Sequence, residues 1–388
     1  MMFTKALASC LLLTLSTPVL AQDPNCNTAV ASNGGRKIGI VVDSSGSMES
    51  NDPNDLRITA GKSLTSSLVT GGSHPDQVTV VDFDGSATLL YPLGDPAKAG
   101  PSFDLIDSSG GTYIAGGLET AIDELTKGQA TTAGVTGIVV LTDGQDSSAT
   151  LLVEQLNRAQ GLGIRVSFGF LSPESEPSDP AVLAAIIATG GVFSTFQNSE
   201  ALQNFVNAVI TLGLTAVDNS SSERLLLPGL TIVGNVSSTA TATYVYSPIS
   251  GEALNFTVQA LDSQSLFVKL QDKTASTDVK TESTDVNGFA SILYTPAVAS
   301  TLELSISTTN TTTSLFSVSL GSSVNRTFNL CTPNNSSTNT SIPTGTIGQP
   351  IPTSSTIQYT GGGAMNMVKG FMIKAFIPVV LVAGAAVL

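Results

Sequence analysis

Lys37-Ile38-Gly39-Ile40-Val41-Val42-Asp43-Ser44-Ser45-Gly46-Ser47 decides the fold. Residues 37–42 read as a strand buried on both faces, because the apolar run does not alternate with polar residues. The strand ends in a carboxylate and two hydroxyls with the spacing Asp43-x-Ser45-x-Ser47. Outward from it, residues 56–69 read as a helix with Gly61, Leu64 and Leu68 on one side. Residues 77–81 and 87–91 flank the turn Asp84-Gly85, which predicts an antiparallel edge pair in an otherwise parallel pattern. Helices over 114–125, 151–160, 180–188 and 200–212 then alternate with strands over 137–142, 164–171 and 192–195. The last helix places Leu202, Phe205, Val206 and Val209 on one stripe. From residue 36 to about 214 this is the pattern of a doubly wound α/β domain.

Past residue 220 the helical period disappears. Seven short β-rich runs, at 230–236, 240–246, 254–261, 266–270, 290–294, 302–307 and 315–320, predict an antiparallel β-sandwich of Ig-like type over 220–331. Residues 332–362 are rich in Ser, Thr, Pro and Asn and carry no charge, a composition that cannot bury enough apolar surface to fold, and read as a disordered, glycosylated Ser/Thr-rich stalk.

Both ends read as processing signals. Lys5, the apolar run over 6–15 and Pro18-Val19 ahead of Ala21 predict a signal peptide over 1–21. At the other end, Gly361, Gly362 and Gly363 precede a short polar segment and an apolar tail over 371–388. That is the order of a GPI-attachment signal, with 363–388 removed; a retained membrane helix is the alternative, and Lys374 and Pro378 weigh against it. Loss of the leader discards Cys10 and leaves Cys26 and Cys331 to pair as a disulfide, or to stay as two thiols. Glycan acceptor triplets stand at Asn219, Asn235, Asn255, Asn310, Asn325, Asn334, Asn335 and Asn339, all beyond the α/β segment.

Composition excludes several classes of function. The 388 residues carry 16 basic and 30 acidic side chains, a net charge of −14, with no basic run to grip a phosphate backbone, so no nucleic-acid partner is expected. A single histidine, His74, rules out any site needing two imidazoles. Only 12% of residues are charged, about half the usual quarter, so glycans are expected to carry part of the solubility.

Three segments carry the chemistry. Asp43, Ser45 and Ser47 close the first strand, Gly110-Gly111-Thr112 stands before a helix, and Asp143 follows the strand over 137–142. In an open α/β sheet these loops share the crevice at the strands' carboxyl ends. Their side chains form an oxygen-only set, which selects Mg²⁺, Mn²⁺ or Ca²⁺ over zinc or copper. On these residues, segment 36–214 resembles a von Willebrand factor type A (VWA) domain, a Rossmann-like fold, with a complete metal-ion-dependent adhesion site (MIDAS). The resemblance implies that Ser45 and Ser47 are direct ligands and that Thr112 binds directly in the ligand-engaged state. It implies that Asp43 and Asp143 act through water or hydrogen bonds, and that Thr112 engagement couples to displacement of the helix over 200–212. Mg²⁺ is the expected divalent cation, with Mn²⁺ or Ca²⁺ as alternatives.

A cation ringed mainly by neutral hydroxyls keeps an open position for an outside oxygen ligand. The expected protein is therefore a non-enzymatic adhesion or recognition molecule binding an exposed Asp or Glu of a protein partner. It is expected to reach the cell surface through the secretory pathway, lipid-anchored to the outer leaflet, with a fungal plasma membrane or cell wall as one setting. Ser45 or Ser47 as a nucleophile would need a general base, and His74 lies outside the three loops. Alternatives are an accessory subunit regulating a membrane channel or receptor and a cell-wall structural protein with a stabilising metal. The His-Glu-x-x-His motif of the chloride-channel regulators that join a protease to a type A domain is absent from the sequence. Asp82 and Asp84 are expected to be solvated turn acids, Asp52, Asn54 and Asp55 to cap the first helix, and His74 to be exposed.

Overall fold

The computed structural model of the chain describes residues 26–28, 34–129, 133–171, 179–218, 224–262, 264–324 and 329–331. Strand β1 (Cys26–Thr28) precedes β2 (Lys37–Asp43), in which every side chain after Lys37 is buried. Then come α1 (Met48–Asn51), α2 (Leu56–Ser66), β3 (Gln77–Phe83), β4 (Ala87–Gly94), α3 (Ile114–Thr126), β5 (Thr136–Thr142), α4 (Ala149–Gly161), β6 (Ile164–Phe170), α5 (Pro180–Ala188), β7 (Phe193–Thr195) and α6 (Ser199–Leu212). The sheet runs β7-β6-β5-β2-β3-β4, parallel except for the β3–β4 edge pair. Apolar side chains of α2 and α6 cover one face, and those of α3, α4 and α5 cover the other. This explains why β2, β5 and β6 are near-continuous apolar runs: neither face meets water.

Helix α2 stops at Ser66, short of the expected residue 69. Hydroxyls of Thr65, Ser66 and Ser67 bond back to the carbonyls of Gly61, Ser63 and Leu64, giving the chain a local alternative to the helical ladder.

The second half contributes β8 (Arg224–Leu225), β9 (Thr231–Val236), β10 (Ala242–Tyr246), β11 (Leu254–Ala260), β12 (Phe267–Asp272), β13 (Thr277–Ser283), β14 (Phe289–Tyr294), β15 (Leu302–Ser307), β16 (Ser314–Ser322) and β17 (Asn329–Cys331). A five-stranded sheet, β13-β12-β15-β10-β8, packs apolar side chains against the array β14-β11-β16-β9. Alternate residues of β11 and β15 point into that core, as period-two patterning requires. All seven expected strands are present. Strand β13, Thr-Asp-Val-Lys-Thr-Glu-Ser, lacks an apolar face because it is an exposed edge, and its sequence therefore gives no strand signal.

The two layers are not separated by a free linker. β7 pairs antiparallel with β9, with Phe193 opposite Val233, Ser194 opposite Ile232 and Thr195 opposite Thr231. The α/β sheet and one layer of the sandwich therefore form a single ten-stranded sheet. Helix α6 adds a second tie, since the buried Asn204 donates from Nδ2 to the carbonyl of Pro228 at 2.9 Å. The apolar core follows the sheet across the junction, from Ile38 through Phe205 to Phe316. Strands β1 and β17 pair in parallel, with Cys26 opposite Asn329 and Cys331 opposite Thr28. The expected leader over 1–21, stalk over 332–362, attachment signal over 363–388, and acceptors Asn219, Asn325, Asn334, Asn335 and Asn339 lie outside the described residues.

Candidate metal centre

The three loops meet at the carboxyl end of β2 and β5. Strand β2 delivers Asp43, wholly buried, whose Oδ1 accepts the Ser45 amide at 2.7 Å and whose Oδ2 accepts the Thr142 hydroxyl at 2.5 Å. The Ser45 and Ser47 hydroxyl oxygens lie 3.0 Å apart, and Ser47 Oγ donates to Asp143 Oδ1 at 2.9 Å. Asp143 Oδ2 accepts from Asn51 Nδ2 at 3.1 Å.

The second loop is laced to the first by backbone bonds, Gly46 N to Gly110 O at 3.2 Å and Ser109 N to Ser44 O at 2.6 Å. Gly110 has φ of +76°, and a Cβ there would lie 2.5 Å from Asp84 Oδ2, so glycine is required by both conformation and space. Thr112 follows, its carbonyl accepting the Ser147 amide at 3.0 Å. A Cβ built on Gly144 would stand 3.7 Å from Thr112 Oγ1, so the threonine hydroxyl lies against the turn after Asp143. Asp43, Ser45, Ser47, Thr112 and Asp143 thus occupy one small region fed by three separate segments.

Burial pushes the Asp43 carboxyl up to about 6; the bonds from Ser45 and Thr142 pull the other way, and the nearby Asp143 charge adds to the rise. Among the described residues no group of three or more His, Cys, Asp or Glu gathers in a metal-binding arrangement, so a cation held here would lean on hydroxyl oxygens. The donor set fits a hard divalent cation, with two carboxylates to offset charge and three hydroxyls to approach it.

Several residues that support the site gave no sequence signal. Arg57 is 1% exposed, yet it reaches three segments. Its Nε donates to Asp43 O at 2.8 Å, Nη1 to Asp52 Oδ2 at 2.9 Å, and Nη2 to Asp107 O and Ser108 Oγ, both at 3.0 Å. One guanidinium thereby fixes the end of β2, the start of α2 and the loop leading to Thr112. Thr142 and Asn51 orient the two site carboxylates. Asp146 accepts from the amides of Ala115 and Ser148, both at 2.6 Å, holding the starts of α3 and α4 beside the loops; burial pushes its carboxyl up.

Two expectations need correction, and one holds. Asp82 is not a solvated turn acid: it is half-buried and Oδ1 has no hydrogen-bond partner. Burial raises its pKa, opposed by the Ser44 hydroxyl and reinforced by Asp107 and Asp84. Of the three proposed caps, Asp52 alone performs the role, accepting the amides of Leu56 at 2.7 Å and Arg57 at 3.0 Å. Asp55 occupies the N-cap position in a left-handed conformation with no side-chain cap bond. His74 is exposed, as expected.

Three glycan acceptors are described. Asn235 and Asn255 are half-buried on β9 and β11, and Asn310 Nδ2 donates to Gln264 Oε1 at 2.6 Å.

Residues 38–145 match the family model of the von Willebrand factor type A domain. The chain is 29% identical over 195 residues to calcium-activated chloride channel regulator 1 of Equus caballus, covering 49% of this chain and 20% of that protein. The protein of the same name from Mus musculus is 29% identical over 160 residues, covering 40% of this chain and 17% of its own length. The chain thus spans about a fifth of the length of the curated relatives it matches. Among solved structures it resembles proximal thread matrix protein 1 from the mussel byssus with a zinc-occupied MIDAS motif, at 21% identity over 49% of this chain and 48% of that one, with a TM-score of 0.39. All five clustered residues fall within 38–145, and this chain contains a von Willebrand factor type A domain.

Proposed function

We propose that the chain is a non-enzymatic adhesion or recognition protein whose type A domain engages an acidic side chain of a protein partner through a divalent cation. The carrying observation is the convergence of Asp43, Ser45, Ser47 and Asp143 through contacts of 2.7 to 3.0 Å, with Thr112 against the neighbouring turn. A divalent cation bound there supplies a coordination position that an outside carboxylate can complete. The protein's part is preorganisation. Thr142 and the Ser45 amide hold Asp43, while Asn51 and Ser47 hold Asp143. In this reading Mg²⁺ is the working cation, with Mn²⁺ and Ca²⁺ as competitors. The protein is displayed at a cell surface on a glycosylated stalk with a lipid anchor, and a Cys26–Cys331 bridge ties its ends. Among the described residues no helix is long and apolar enough to cross a membrane.

The likeness to chloride channel regulators favours a second reading, an accessory subunit acting on a membrane channel. One experiment separates them. Binding of the full chain to cells and to extracellular matrix is measured with Mg²⁺ or Mn²⁺, with chelator, and for Asp43→Ala, alongside calorimetric titration of the metal alone. Adhesion predicts binding to matrix as well as cells, lost with chelator and in the variant. Equal binding under all conditions sinks the metal-dependent reading. Metal-dependent binding confined to channel-bearing cells selects the accessory role.

A further inference from the structure

Away from the metal centre, a cleft of about 70 Å³ opens where the α/β layer meets the sandwich. Gly190, Gly191 and Leu212 line it from one side, Arg224 and Tyr244 from the other. Its polar groups are rich in donors and short of acceptors. Tyr244 is 1% exposed, packed edge-on against Phe316 at 6.3 Å, and its hydroxyl meets only the Arg224 guanidinium, a donor, so its own proton has no acceptor. Arg165 is 7% exposed; Nη1 caps the end of α6 by donating to Leu212 O at 2.9 Å and Gly213 O at 2.7 Å, but its buried Nε has no partner. That nitrogen faces Gly190, where a Cβ would sit 3.6 Å from Nε and 3.7 Å from Nη2, so the absence of a side chain keeps the space open. Arg224 stands opposite Tyr244 in the β8–β10 register, with its guanidinium beside the Tyr244 hydroxyl.

A buried donor left unpaired loses the hydrogen bond it made to water, and two such donors at one cleft point to a missing acceptor. Charge points the same way. Burial holds the Arg165 pKa below its ordinary value; Asp218 opposes this, and Arg224 adds to it. The Asp218 carboxylate is already engaged by Thr215 and Arg36. In a chain with 30 acidic and 16 basic side chains, one arginine lining a cleft and a second packed behind its Gly190 wall, with the nearby Asp218 already engaged, are against the composition.

We propose that this cleft binds a small oxyanion of the phosphate or sulfate type, held by Arg165, Arg224 and the Tyr244 hydroxyl. The anion touches β6 of the α/β layer and β8 and β10 of the sandwich, so its binding stiffens the junction between them. Guanidinium groups suit this role because their planar donors match oxyanion oxygens.

The test is titration of the full chain with inorganic phosphate and, separately, with sulfate against chloride at matched ionic strength, read by calorimetry and thermal unfolding. Wild type is expected to bind and to gain thermal stability from at least one of the two oxyanions. Arg224→Gln, at an exposed position that does not threaten folding, is expected to weaken affinity about tenfold. Tyr244→Phe is expected to weaken it several-fold while leaving anion-free stability nearly unchanged, since the deleted hydroxyl has no acceptor for its proton and its neighbour Arg224 is exposed to water. Neither oxyanion exceeding chloride in wild type, or both variants keeping wild-type affinity, overturns the proposal.

Discussion

Replacing Arg57 by methionine, which keeps most of the volume and removes the guanidinium, isolates the strap under the metal centre. The variant loses the bonds to Asp43 O, Asp52, Asp107 O and Ser108, all but closed to solvent at the arginine end. The contact with Asp55 counts for little, because that carboxylate is 65% exposed. Asp52 is left buried with its charge, although the amides of Leu56 and Arg57 still serve it. Breaking a buried pair at one partner costs about 3–5 kcal/mol, and the surviving amides put the expected loss near the lower end, about 3 kcal/mol. Urea unfolding of the full chain measures it. Adding Asp52→Asn removes the stranded charge and is expected to recover about half. The double variant is not expected to recover metal affinity, because the ties to Asp43 O and to the 107–108 segment stay broken. That affinity, from calorimetric titration of Mg²⁺ or Mn²⁺, is expected to fall about tenfold, or about 1.4 kcal/mol. A stability loss under about 1 kcal/mol, or metal affinity unchanged in both variants, refutes the strap.

Two further predictions concern the scaffold. Glu124 is buried, which alone would raise its pKa, but the Leu93 amide at 3.0 Å and Lys127 at 2.9 Å outweigh burial and hold it below the ordinary value. A depressed folded-state pKa stabilises above the unfolded carboxylate range and is lost as pH falls through the folded value. Glu124→Gln should therefore unfold more easily than wild type near pH 7, with the gap closing as pH falls through and below the ordinary carboxylate range; a gap constant with pH refutes the assignment. Gly137→Ala would place a Cβ 2.0 Å from the Leu214 carbonyl, a backbone atom that cannot rotate away. A cost of about 1–3 kcal/mol in urea unfolding is expected, and an unchanged midpoint would show that the backbone near residue 214 yields freely.

The alternation from residue 36 to 214 is legible because each strand of the parallel sheet is apolar on both faces and each helix carries one stripe. The five candidate ligands were legible for a different reason: small hydroxyl and carboxylate residues at strand ends have no packing role to obscure them. What stayed hidden was whatever depends on partners distant in the chain. Nothing near Arg57 announces that its guanidinium will lie under Asp43, 14 residues away, and beside Asp107, 50 residues away. Asp82 looked like a turn acid because its burial comes from tertiary packing, not from its neighbours in sequence. The β7–β9 seam was hidden too, since Phe193–Thr195 is three residues long and names no partner.

That seam changes what counts as a module here. A fragment ending near residue 218 would leave β7 with a bare row of amides and carbonyls where β9 now sits, an open edge of the kind that recruits other strands. The sandwich acts as the edge guard of the α/β sheet, and shuffling either half alone into another protein would require a replacement for the lost strand.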